Sequence, residues 1–251
     1  MRTATCLTLL IAMLLLTACG KKGPVRPLEE KLPGTVTDVR LVQRGAGFLL
    51  QWKMPQQNLD GTPLDDLDRV YVERLVAEDA DFCPECSAPW PLLARISPQL
   101  PRPARHINDQ FLLSDGEFAP GARIHYRLRA RNRQGDFGPV VELDQSIRPS
   151  FTGPADLLVS GSDRSADLRW QPAVLPGSAR LLGYQIYRRV DDAPYSPLPT
   201  NLRPLEQTHF SDFGLENDRL YHYRVRSLFD FGGKLLESLP SREVSTIPKA
   251  G

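Results

Sequence analysis

The chain repeats itself, and the repeat limits what it can fold into. Ile124-His125-Tyr126-Arg127-Leu128-Arg129-Ala130 is matched by Tyr221-His222-Tyr223-Arg224-Val225-Arg226-Ser227, 97 positions later. Gly135 and Gly232 stand at the same offset. Upstream, Leu50-Gln51-Trp52 is matched by Leu168-Arg169-Trp170 at an offset of 118. Between them, Val70, Val72, Arg74 and Val76 are matched by Tyr184, Ile186, Arg188 and Val190 at 114. Two copies of one unit account for all three offsets. The fall from 118 to 97 gives the first copy about 21 extra residues, most of them after Val76.

Each copy reads as strands. Apolar residues alternate at Leu50 and Trp52, at Val70, Val72 and Val76, and at Ile124, Tyr126, Leu128 and Ala130. Period-two patterning in short runs bounded by turn residues predicts an all-β chain of two tandem antiparallel sandwiches. The 23 prolines in 251 residues agree with many short strands and turns. Both halves resemble fibronectin type III domains, from 33 to 147 and from 149 to 248. The resemblance rests on Trp52 with Pro55, Trp170 with Pro172, the run Gly183-Tyr184-Gln185-Ile186-Tyr187-Arg188, and the late Tyr-x-Tyr-Arg-Val-Arg strand. It implies a corner tyrosine at Tyr221, its hydroxyl bonded just upstream in the chain. The first copy has Ile124 there, so that bond is expected to be missing and the second half to be the more stable.

The N-terminus speaks to location. Arg2 precedes an uncharged apolar run over residues 6–16, the pattern of a secretory signal and too short to span a bilayer. Leu16-Thr17-Ala18-Cys19 resembles the lipobox of bacterial lipoproteins. The resemblance implies a signal peptide over 1–18 and a lipidated tether over 19–32. Cys19 would then be the acylated N-terminus, held to the membrane by more than one chain. Gly20, rather than an acidic residue after the cysteine, favours the outer membrane. Cys19-Gly20-Lys21-Lys22-Gly23-Pro24 also resembles the mature start of small lipoproteins that assist lipopolysaccharide assembly, with Val25 where those carry Leu.

Of the other cysteines, Cys6 leaves with the signal, and Cys83 and Cys86 remain as a Cys-x-x-Cys. A disulfide staple, a zinc site and a redox pair are the three readings. The prolines around the pair (Pro84, Pro89, Pro91) argue against a thioredoxin-like helix start. A structural zinc site usually draws on a second pair, and the four histidines are scattered. The disulfide is the preferred reading in an oxidising compartment.

Opposite charges nearly cancel, with 31 Lys and Arg against 30 Asp and Glu, which gives no argument for nucleic acid. Arg127, Arg129, Arg131 and Arg133 recur at every second position and should line the outward face of a strand. They offer a ridge for anions, or pair across strands with acids such as Glu73 and Glu142. The inserted segment, about 77–106, carries Trp90 between two prolines as a contact for a partner, or folded back over a sheet. His125 and His222 occupy equivalent outward positions. We find no catalytic, cofactor or metal motif. The sequence therefore predicts a non-enzymatic, lipid-anchored envelope protein that binds or scaffolds an envelope protein, with Trp90, Arg127, Arg129 and Arg131 as candidate contacts. The alternatives are a helper of lipopolysaccharide or outer-membrane assembly acting through its lipidated N-terminus, and a glycan-binding module.

Overall fold

The computed structural model describes residues 31–77, 90–175 and 177–250. The signal peptide, Cys19, most of the tether and the Cys83/Cys86 pair lie outside the described residues. Among the described residues there are fifteen strands and no helix.

In the first half these are β1 (Thr37–Arg44), β2 (Gly47–Lys53), β3 (Leu67–Ala77), β4 (Leu92–Ile96), β5 (Arg105–Ile107), β6 (Gln110–Gly116), β7 (Arg123–Asn132) and β8 (Val141–Ser146). One sheet runs β1-β2-β6-β5 and the other β4-β3-β7-β8, antiparallel throughout. Leu50, Trp52, Phe111 and Leu113 from the first meet Val70, Val72, Ile124, Tyr126 and Leu128 from the second in one buried cluster. A side chain of this kind contributes about 1.5–3 kcal/mol when fully buried.

The second half follows with β9 (Leu158–Ser162), β10 (Ser165–Arg169), β11 (Arg180–Val190), β12 (His209–Phe213), β13 (Tyr221–Phe231), β14 (Lys234–Glu237) and β15 (Val244–Thr246). The sheet β9-β10-β12 faces β11 and β13 across a separate core of Leu168, Trp170, Tyr184, Ile186, Tyr223 and Val225. The last strand is split. β14 and β15 both pair with β13, and between them Ser238 and Ser241 bond the backbone N–H groups of Ser227 and Val225 through their hydroxyls. The chain is thus an all-β pair of sandwiches, each with its own core.

Two details of the sequence pattern come out differently. Val76, read as inward, is 41 % exposed and Ala77 is buried in its place. The inserted segment is not all loop, because it contains β4, which pairs with β3 and sends Ala94 and Ile96 into the core. The corner tyrosine takes its expected place, with the Glu216 N–H donating to the Tyr221 hydroxyl at 2.9 Å. The matched glycines also share a role. Gly135 and Gly232 both sit in turns at positive φ, 105° and 62°, where the lack of a Cβ removes the usual steric cost.

The two sandwiches are joined by more than the linker, and from Leu32 onward the chain forms one compact unit. β14 of the second half pairs in parallel with β1 of the first, Val42 with Leu235, Gln43 with Leu236 and Arg44 with Glu237. One eight-stranded sheet therefore runs through both halves. The Gln43 side chain clamps the linker, donating to the Arg148 carbonyl at 2.7 Å and accepting from its N–H at 3.1 Å. Phe151 stacks on Phe231 just beyond, with centroids 5.6 Å apart.

A buried ionic cluster fills the junction. The Glu237 side chain is 1 % exposed and meets Arg44 at 2.7 Å, while the Tyr187 hydroxyl donates to it at 2.8 Å. Arg226 stands 3.7 Å away on its other oxygen. Burial works against the Arg44 charge, but Glu237 and Tyr187 outweigh it and leave Arg44 above its ordinary pKa. Burial also pushes the Tyr187 phenol well above the usual range, with Glu237 adding to the effect.

Candidate functional site

β7 alternates as its sequence predicts, with Ile124, Tyr126, Leu128 and Ala130 buried and Arg127, Arg129 and Arg131 on the opposite face. The acids named from the sequence answer two of these arginines. Arg127 Nε donates to Glu142 at 2.6 Å, and Arg129 to Glu73 at 2.7 Å. Arg131 donates to the Gly135 carbonyl at 3.2 Å and to the Tyr71 hydroxyl at 3.3 Å. Arg133, beyond the strand's end, is exposed. Charge pairing across strands therefore accounts for Arg127 and Arg129, and Asp68 on β3 stands 3.9 Å from Arg131.

Aromatic rings lie between and beside the guanidinium groups. Trp90 folds back over the sheet, its ring centroid 3.9 Å from the Arg127 guanidinium carbon. Phe137 takes Arg129 at 4.3 Å and Arg131 at 5.7 Å, and packs edge-on against Tyr71 at 5.1 Å. Arg95 on β4 covers the other side of the layer, 5.6 Å from the Tyr71 ring. The structure thus brings Trp90, Arg127, Arg129 and Arg131 onto one half-buried face, with Tyr71 and Phe137 completing it. Each such contact contributes about 0.5–2 kcal/mol, more where water is excluded.

The second half repeats the first contact. Arg224 is the equivalent of Arg127, and Tyr195 stacks on it at 4.8 Å as Trp90 does on Arg127. Here the acid differs. Glu243 collects Arg189 at 3.1 Å, Arg224 at 3.0 Å, the Tyr195 hydroxyl at 2.8 Å and His222 Nδ1 at 3.3 Å. The hydrogen bond from Arg189, opposed by partial burial and helped by Tyr195 and Arg224, holds the Glu243 carboxyl at about 2.

A folded value depressed below the ordinary 4.5 stabilises the fold above that pH, and the contribution disappears as pH falls through about 2. Glu243→Gln should therefore be less stable than the parent at pH 7, and the gap should close between pH 4.5 and 2. Urea melts of both proteins across that window would show it, and a gap independent of pH would contradict the assignment.

The matched strands also carry a pair of equivalent sites. In the first half Asp115, 7 % exposed, accepts from Arg74 at 2.5 Å and from the Tyr126 hydroxyl at 2.7 Å. In the second, Asp212, 6 % exposed, accepts from Arg188 at 2.8 Å and from the Tyr223 hydroxyl at 2.9 Å. The two aspartates stand 97 positions apart, the offset of the two tyrosines. Burial, reinforced by the aspartate in each case, lifts both phenols far above their usual range. Each aspartate ties three strands of its sandwich together, β6 to β3 and β7 in the first half and β12 to β11 and β13 in the second.

His125 and His222 do not come together, each lying on its own half. Burial lowers the His125 pKa, with Arg123 adding to the shift.

No family model matches the sequence. Among solved structures, the chain is similar to the chicken CNTN1 FN1-FN3 domains, at 16 % identity over 87 % of this chain and 68 % of that one, with a TM-score of 0.31. It is also similar to titin kinase and its flanking domains, at 22 % identity over 40 % of this chain and 17 % of that one, with a TM-score of 0.33.

Proposed function

We propose that the chain is a non-enzymatic, lipid-anchored envelope protein whose two-sandwich body is a protein-binding or scaffolding module. Its contact face is the layer formed by Trp90, Arg127, Arg129 and Arg131 on the first half. The observation that carries this reading is the interleaving of those arginines with Trp90, Phe137 and Tyr71. Tryptophan, tyrosine and arginine dominate the energetic centres of protein interfaces. Side chains already stacked and ion-paired lose little freedom when a partner covers them. Because Glu142 and Glu73 already neutralise Arg127 and Arg129, the partner need not be acidic. The anchor is the lipobox-like Leu16-Thr17-Ala18-Cys19, and the two halves of the body share one sheet.

The test is crosslinking in cells of the full lipidated protein, followed by mass spectrometry of what is captured. An abundant envelope protein should be recovered, strongly reduced by Trp90→Ala with Arg127→Glu and lost in Cys19→Ala. Capture unchanged by the face variants would place the contact elsewhere. Recovery of polysaccharide in place of protein would favour the glycan reading. Function retained by residues 1–32 alone would favour assembly through the lipidated N-terminus.

A further inference from the structure

A cleft of about 330 Å³ opens beside the junction of the two sandwiches, on a different surface from the Trp90 layer. Arg44, Arg105, Arg224 and Arg226 line it, with Ser114, Ser196, Pro197 and two tyrosines, and no acid reaches its wall. Only two carboxylates answer these arginines among the described residues. Glu237 serves both Arg44 and Arg226, and Glu243 serves Arg224 while also held by Arg189. The cleft therefore carries an excess of positive charge between low-dielectric walls, where a charge acts far more strongly than in water.

The four arginines divide into two roles. Arg44 and Arg226 are committed to the junction: Arg44 donates to the Pro197 carbonyl at 2.8 Å and Arg226 to the Ser238 carbonyl at 2.7 Å. They supply a fixed positive field. Burial depresses Arg226, and the nearby Arg44 and Arg224 cations work in the same direction against Glu237, so an added anion would relieve the site. Arg105, exposed on β5, has no ion-pair or hydrogen-bond partner among the described residues, and Arg224 is 40 % exposed. Arg105 is free to close on a ligand, and Arg224, held by Glu243, presents its exposed part to the cleft. The hydroxyl of Ser196 accepts from the Leu198 N–H at 3.1 Å and keeps its own proton to give, and Ser114 stands unpartnered among the described residues.

We propose that this cleft binds a phosphate group, with Arg105 and Arg224 as the exposed donors, Arg44 and Arg226 as the fixed field, and Ser114 and Ser196 as neutral donors. One guanidinium fork can meet both oxygens of a carboxylate. Several forks and hydroxyls converging from different strands suit an ion with oxygens on all sides. The phosphate can come from a lipid headgroup or from solution, and the chemistry at the cleft is the same.

The test is calorimetric titration of the full-length protein in detergent, with inorganic phosphate and with dioctanoyl phosphatidic acid as the probes. Saturable binding is expected, weakened about ten-fold or more by Arg105→Gln and by Arg224→Gln and unchanged in Arg133→Gln. Tighter binding of the phosphatidic acid would assign the source as a lipid headgroup, and tighter binding of inorganic phosphate would assign a soluble ligand. Because Arg105 has no partner to lose, its variant should melt as the parent does. Absence of saturable binding by both probes would overturn the proposal. So would binding insensitive to both cleft variants, or weakened as much by Arg133→Gln. None of these variants touches the Trp90 layer, so this result and the crosslinking result stand apart.

Discussion

Glu237→Gln is expected to lower the unfolding free energy by about 3–5 kcal/mol, a large share of what a chain of this size has. The carboxylate is almost fully buried, accepts from Arg44 and Tyr187, and lies 3.7 Å from Arg226. Removing its charge leaves two guanidinium groups in a low-dielectric junction with nothing to offset them. A buried pair is a different matter when all its members go together. The triple change Arg44→Met, Glu237→Leu and Arg226→Met should recover most of the loss. Calorimetry adds a second readout. With β1 and β14 sharing a sheet, the parent should unfold in one transition, and Glu237→Gln should split it in two. A single variant within about 1 kcal/mol of the parent would show that the junction does not depend on this cluster.

The second large effect lies at the paired aspartates. Asp115→Ala and Asp212→Ala should each cost about 3–5 kcal/mol, since each strands an arginine and a buried phenol at once. Tyr126→Phe and Tyr223→Phe remove only one hydrogen bond and should cost about 1 kcal/mol. The double change at either site should cost less than the sum of its parts, by about 0.5–3 kcal/mol, because the groups form one network. Denaturant melts of the single and double variants give this directly, and strict additivity would mean that aspartate and tyrosine act separately.

Some of this was legible in the sequence. The offset of 97 that pairs Tyr126 with Tyr223 also pairs Asp115 with Asp212, so following the repeat eleven residues upstream would have found the carboxylates. Arg74 and Arg188 match at an offset of 114, on rows that otherwise face inward. An inward arginine in both copies implies a buried acid in both copies. β4 was legible too, in the alternation of Leu92, Ala94 and Ile96, but prolines on both sides of it gave the appearance of a loop. The junction was not legible. Arg44 and Glu237 are 193 residues apart and neither has a counterpart in the other copy, so neither period nor repeat could bring them together. Phe137 escaped for a related reason, because its equivalent 97 positions on is Lys234, and only the folded sheet shows which arginines it separates.

The pairing of β1 with β14 also settles what happens to a strand that has no neighbour. Left alone, the first half would end its sheet at Val42, Gln43 and Arg44, and the second half would end its own at Leu235, Leu236 and Glu237. Each is a row of unmet backbone donors and acceptors, the surface on which sheet proteins stick to one another. Here each half stands guard over the other's open edge, so separating the halves would create two adhesive fragments where the intact chain offers none at that place.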